Sequence, residues 1–95
     1  MTPYELVGFV PCLDDWIALE GPPNAMVQTV TEWIFTRFER PYDGVRRAEG
    51  FDNLWYVVVP GTEDDDGQVV VCSYFVIERG HRVQCSSFAT LSLPI

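Results

Sequence analysis

The densest group of ionisable side chains in this 95-residue chain is the run Gly61-Thr62-Glu63-Asp64-Asp65-Asp66-Gly67. Clustered carboxylates are the ligand type of calcium and magnesium. A helix–loop–helix calcium loop, however, needs spaced oxygens, a central glycine and a distant glutamate, and this run has none of that spacing. Glycines bound it and Asp66-Gly67 closes it, which is the chemistry of a tight turn. We read it as a solvated hairpin tip, with docking of a partner as a second use. His81 is the only histidine, and histidine is the side chain suited to proton transfer near neutrality. It stands in a turn between Gly80 and Arg82, where exposure is the ordinary state. Ser73, Ser86 and Ser87 lack the Gly-x-Ser-x-Gly setting of an activated nucleophile. The chain has no glycine-rich phosphate loop. It also has no lysine, so a Schiff base, a lysine acid and a lysine phosphate clamp are all excluded. No catalytic residue, cofactor or metal site is assigned.

What remains is chemistry of recognition. The six bases are all arginine. Arg46 and Arg47 are adjacent, so in a strand they point to opposite faces. Arg79 and Arg82 flank a turn, and Arg37 falls within an apolar helical arc. Their ordinary role is surface pairing with Glu39, Glu49 or Glu78, which contributes little. Trp16, Tyr42, Trp55, Tyr56 and Tyr74 are of the types enriched at binding hot spots, and equally of the types that fill cores. The residues assigned to partner binding are Glu63, Asp64, Asp65, Asp66, Asp14, Asp15, Trp55, Tyr56, Arg46, Arg47 and Arg82. Cys12, Cys72 and Cys85 are odd in number and lack the short spacing of a metal knuckle, so they are read as reduced, mostly buried thiols.

Composition narrows the partner. The net charge is −8. Glu5, Asp14, Asp15 and Glu20, with Glu63 to Asp66, supply the whole excess, because the other six acids balance the six arginines. Phosphate binding needs a basic footprint, so direct nucleic-acid binding is not expected. A basic protein, steered by complementary charge, is. No apolar run reaches the roughly 18 residues of a membrane span, and no basic residue precedes an apolar run at the N-terminus. A cytoplasmic protein is the expectation.

The elements that must position these residues follow from periodicity. YELVGFV (4–10) reads as a strand ended by Pro11, and CLDDWIALE (12–20) as a short helix closed by Gly21 and Pro22-Pro23. That boundary places Asp14 and Asp15 in the first helical turn, where the dipole favours acids. Asn24 is a candidate N-cap for a second helix over 25–40, with Met26, Val27, Val30, Trp33, Ile34 and Phe38 on one arc. VRRAE (45–49) is a marginal strand, while LWYVVV (54–59) and VVVCSYFVI (69–77) read as inner strands covered on both faces. RVQCSSFATL (82–91) is a last strand. Strict alternation there would set Val83, Cys85, Ser87, Ala89 and Leu91 on one face, against Gln84, Ser86, Phe88 and Thr90. The expected class is α+β in one domain over 1–95: an N-terminal strand and two helices packed on one face of a twisted, mainly antiparallel sheet of four to five strands.

That order of elements resembles the RelE/ParE superfamily of toxins from bacterial toxin–antitoxin modules, in particular its HigB-like, phage-derived branch. ELVGFVPCLDDWIAL resembles the opening strand and helix. ERPYDGVRRAEG resembles the Arg-Pro…Gly passage, and FDNLWYVVVP the strand that usually reads Asn-Leu-x-Glu-Leu-Arg. VVVCSYFVIERGHRV is similar to the following strand pair, and SFATLSLPI to a tail that usually carries paired lysines. The departures fall on bases. The usual strand arginine is Val58, the usual lysines are Thr90 and Leu91, and the chain is acidic where these toxins are basic. The resemblance therefore implies a RelE-like fold without the basic residues used for RNA cleavage, with an antitoxin as one implied partner and protein binding, as in ParE-type members, as the mode of action. The acidic segments support a different function: an inhibitor or immunity-type protein, with a phage as one source, that blocks a basic, nucleic-acid-binding protein.

Overall fold

The chain runs through β1 (Glu5–Val7), α1 (Phe9–Glu20), α2 (Asn24–Ile34), a 3-10 turn (Phe35–Phe38), β2 (Arg46–Arg47), β3 (Leu54–Val58), β4 (Gln68–Ile77) and β5 (Arg82–Ser92) in a computed structural model that describes residues 3–94. The strands form one sheet in the order β1-β5-β4-β3-β2. β1 is parallel to β5, and all other pairs are antiparallel. Short turns suffice for the antiparallel meander from β2 to β5. A parallel return needs a crossover, and α1 and α2 lie between β1 and the rest. This is the α+β architecture expected from the periodicity.

Several boundaries differ from that expectation, each for a local reason. β1 stops at Val7, because Gly8 turns the chain at φ 76°. A side chain there would be held in a left-handed conformation, with its Cβ 3.6 Å from the Cys85 carbonyl. α1 thus begins at Phe9, and Pro11 lies inside it rather than ending a strand. The first turn of a helix has no intrahelical use for its N–H groups, so a proline there breaks no bond. In consequence Asp14 and Asp15 sit in the middle of α1, with no acid in its first turn, and the dipole argument does not apply to them. Asn24 is likewise the first helical residue. Pro23 holds the cap position, and no side chain caps the helix. The second helix is α only to Ile34 and then tightens into the 3-10 turn. There the Thr36 hydroxyl donates back to the Trp33 carbonyl at 2.6 Å, a bond that competes with the regular ladder.

The core lies between the helices and one face of the sheet. Phe9, Trp16, Val30, Trp33 and Ile34 pack on Val57, Val59, Val70, Cys72, Tyr74, Val76, Val83, Cys85 and Phe88. The alternation along β5 is broken once. Ser73 pairs with Ser87 but Tyr74 pairs with Cys85, so Ser86 is an extra residue in β5. An inserted residue exchanges the faces of everything beyond it. Val83 and Cys85 point to the core before the bulge and Phe88 after it, while Ser86, Ser87 and Leu91 are exposed. The uniform alternation read from the sequence is wrong for this reason. The expectation of two covered faces also needs correction. Val69 and Val71 on the second face of β4 are buried, but Val58 on β3 is 36% exposed and Leu91 on β5 43% exposed.

Buried polar groups tie the meander together. Arg37 is 3% exposed. Its Nη1 donates to the Asp43 carbonyl at 2.9 Å and to the Tyr74 hydroxyl at 3.1 Å, and its Nε donates to Thr36 Oγ1 at 2.9 Å. The guanidinium lies 4.6 Å from the Trp33 ring centroid, and the Tyr74 hydroxyl donates to the Pro41 carbonyl. Burial raises the Tyr74 pKa, against the opposing pull of Arg37. The apolar arc that Arg37 interrupts in the sequence is therefore a true interior position, occupied by a cation with partners on three sides.

Candidate functional site

Side chains directly opposite one another across a sheet share a face. The registers therefore define the sheet face away from the helices row by row. One row is Arg46, Tyr56, Ser73 and Ser87; the next is Val58, Val71 and Ala89; a third is Leu54, Phe75 and Gln84. After β5, the Leu93 amide donates to the Gly67 carbonyl at 2.9 Å. The tail then comes round to the β2–β3 edge, where Leu93 and Pro94 join Gly44, Arg46, Tyr56, Val57 and Val58 around a cleft of about 360 Å³. The cleft offers one guanidinium, one phenol and apolar surface. It holds no carboxylate and no nucleophile–base pair among its lining residues. Such a surface can bind, through an aromatic and arginine anchor set in an apolar surround.

The residues assigned to partner binding do not form one site. Arg46 and Tyr56 meet across β2 and β3 and share the cleft. Arg47 and Trp55 are also opposite one another, but on the helix-facing side, where Trp55 packs against the core and meets the edge of Tyr42 at 5.4 Å between centroids. Arg82 opens β5, opposite Ile77 and Glu5, two strands away from Tyr56. Asp14 and Asp15 are exposed on α1, in the other layer. Glu63 to Asp66 form the β3–β4 connection as expected, yet Asp64 is not merely solvated. Its Oδ1 accepts the amides of Asp66 and Gln68, each at 2.9 Å, so it closes the turn. The two acidic segments do approach each other, through Glu20. Glu20 and Asp64 line one hollow of about 220 Å³ with Thr90 and Gln68, and Glu20 Oε2 accepts the Thr90 amide at 3.2 Å.

A second grouping was not legible in the sequence. The Glu78 carboxylate accepts the Tyr4 hydroxyl at 2.6 Å and also the Tyr42 hydroxyl. His81, at φ 57°, stacks on Tyr4 with centroids 3.8 Å apart. The hydrogen bond from Tyr4, then that from Tyr42, lowers the Glu78 pKa. Burial and the bond to Glu78 raise that of Tyr42. Tyr4, Tyr42 and the Glu78–His81 turn come from three segments far apart in the sequence, so only the fold assembles them. The cluster ties β1 and the Tyr42 segment to the β4–β5 turn. The cysteines are free thiols, with Cys72 and Cys85 buried and Cys12 half-buried. Burial pushes the Cys12 thiol up to about 12, which leaves it protonated and unreactive near neutrality.

Two helices on one face of this five-stranded mixed sheet, with the other face left open, define a RelE-like fold. The chain is similar to the structure of the E. coli toxin RelE, solved as an arginine-to-alanine double mutant in the free state. That likeness has a TM-score of 0.60 at 13% identity, over 94% of this chain and 83% of the other. The chain matches no protein-family model and no curated protein. Among the described residues no helix is long and apolar enough to cross a membrane, and no group of three or more His, Cys, Asp or Glu side chains is placed to hold a metal ion.

Proposed function

We propose that residues 1–95 form one domain of the toxin-like type found in toxin–antitoxin modules, HigB-like in descent, that acts in the cytoplasm by binding a protein and does not cleave RNA. The observation that carries this reading is the chemistry of the open face. Of the positions where the family resemblance expects bases, Val58 and Leu91 are apolar and exposed on that face, and Thr90, opposite Val70, is on the helix-facing side. A surface without paired bases lacks what holds phosphate and stabilises the charge of a cleavage transition state. Its cleft, with Arg46 and Tyr56 beside Val58 and Leu93, suits a protein segment, and an antitoxin is the partner that fits the family likeness. No cofactor enters this mechanism.

Two assays run together test it: ribosome-dependent mRNA cleavage with purified protein, and growth after induced expression with and without the adjacent gene. Growth arrest without cleavage, relieved by Arg46→Ala with Tyr56→Ala, is the expected result. Cleavage of mRNA on the ribosome would refute the non-catalytic reading. Harmless expression, with no partner co-purifying, would refute the toxin reading. The approach of Glu20 to the Asp64 turn favours a second reading, an acidic inhibitor of a basic protein. On that reading, Glu63→Ser with Asp65→Ser and Asp66→Ser slows association and flattens its salt dependence.

A further inference from the structure

The helix layer carries an unfilled apolar groove. Val10 and Leu13 of α1 face Thr31, Ile34 and Phe35 across a space of about 270 Å³, and Thr31 is the one polar side chain on its walls. Val10 is 69% exposed and Phe35 62% exposed. Two bulky apolar groups left open beside an apolar hollow form the kind of patch that marks an interaction site. Phe35 lies outside the apolar arc through Met26, Val30 and Trp33 by which α2 packs.

The two helices that wall this groove carry charge of one sign only. Before Arg37 the described chain bears Glu5, Asp14, Asp15, Glu20 and Glu32 and not one base, and Arg37 itself is buried. Asp14 follows Val10 by one helical turn, and Glu32 precedes Phe35 by about one turn, so both acids share a side with the apolar anchors. The floor is apolar and the rim anionic. That combination fits an amphipathic helix with large apolar residues on one face and lysine or arginine beside them. It does not fit a second copy of this chain. Self-association through this surface would set Asp14 and Glu32 against their own equivalents, and α1 and α2 carry no arginine to offset them.

We infer that the α1–α2 groove is a docking site for a cationic amphipathic helix of a protein partner. The groove is on the helix layer, so this site is separate from the open sheet face and stands whatever that face binds. The probe is a fluorescein-labelled leucine–lysine peptide long enough for about five helical turns, beside a counterpart with every lysine replaced by glutamate. Anisotropy is read with the full chain at low and moderate salt. The lysine peptide binds and the glutamate peptide does not. Val10→Ser and Phe35→Ser, both at exposed positions that leave the core intact, together weaken binding about tenfold. Asp14→Ser with Glu32→Ser weakens it and flattens its salt dependence. Absence of binding overturns the inference, as does unchanged binding in the Val10 and Phe35 variants, which would mean charge attraction alone. A loss caused instead by Glu63→Ser with Asp65→Ser overturns it by assigning the site to the hairpin. A dimer in sedimentation that Phe35→Ser dissolves overturns it in favour of a second copy.

Discussion

Arg37→Ala removes the group that holds the chain between the 3-10 turn and β2. Two charge-assisted bonds to distant elements are lost, to the Asp43 carbonyl and the Tyr74 hydroxyl. Each is worth about 1.5–3 kcal/mol, and the contact with Trp33 adds roughly 1–2 kcal/mol. Against these stands the desolvation of a buried guanidinium, several kcal/mol, which the folded state no longer bears. The net is a loss of about 3 kcal/mol. In a domain of this size that lowers Tm by roughly 12–24 °C. Asp43 precedes Gly44, which lines the cleft, so the same substitution loosens the rim on which Arg46 stands. Urea unfolding followed by tryptophan fluorescence measures the loss, with an unchanged m-value as the sign that the unfolded state is unaltered. Arg37→Lys should fall between wild type and alanine, because the ammonium keeps the charge but not the planar fork. Tyr74→Phe in a double-mutant cycle should return a coupling of about 1 kcal/mol or more. A loss for Arg37→Ala below about 1 kcal/mol, the range of an exposed ion pair, would refute the reasoning and mean that the guanidinium sits in water.

The acidic hairpin and the tyrosine cluster yield two more predictions. Asp64→Ala removes the acceptor of two turn amides and should cost about 1–2 kcal/mol. Asp65→Ala and Asp66→Ala should change stability by no more than about 0.5 kcal/mol, so chemical denaturation of the three variants separates closure of the turn from charge. Glu78 has its folded-state pKa lowered from 4.5. Its contribution to stability is therefore fully present above that value and is lost as pH falls below it through the folded-state pKa. Glu78→Gln should accordingly flatten the acid limb of a stability–pH curve below 4.5 and leave the slope near neutrality alone; an unchanged acid limb would show that the carboxylate gains nothing from Tyr4 and Tyr42.

Much of the fold was legible because period and punctuation agreed. The long apolar runs of β3 and β4, the glycine-bounded acidic turn, and a helical arc through Met26, Val30 and Trp33 gave the class and the order of elements. The errors were local and had physical causes. Pro11 reads as a stop, but a helix accepts proline in its first turn. Asn24 reads as a cap, but Pro23 already supplies the extended backbone a cap requires. The candidate site was less legible. Adjacent Arg46 and Arg47, like Trp55 and Tyr56, part to opposite faces of the sheet, so only one of each pair reaches the cleft. The Tyr4, Tyr42, Glu78 and His81 grouping depends on a hydrogen bond across 74 residues of sequence and on a ring contact between residues 4 and 81, which no local pattern records.

The bulge at Ser86 bears most directly on why the tail end of the open face, around Val58, Ala89 and Leu91, is apolar. Phe88 is 7% exposed and lies 6.4 Å from Phe9 and 6.2 Å from Trp16 between ring centroids. A phenylalanine buries roughly 150–250 Å², worth about 4–6 kcal/mol at 25 cal/mol per Å². Keeping Val83 and Cys85 inside as well requires one extra residue between them and Phe88. That residue sends Thr90 inward and Leu91 outward. Packing therefore decides which tail positions reach the open face, but it does not decide what stands there. Leu91 and Val58 are exposed enough for a long basic side chain to leave them with its charge in water, and neither belongs to the core cluster. The fold would accept arginine or lysine at both positions. Their absence is not imposed by folding, and that is the stronger support for a face that binds a protein and not an RNA phosphate.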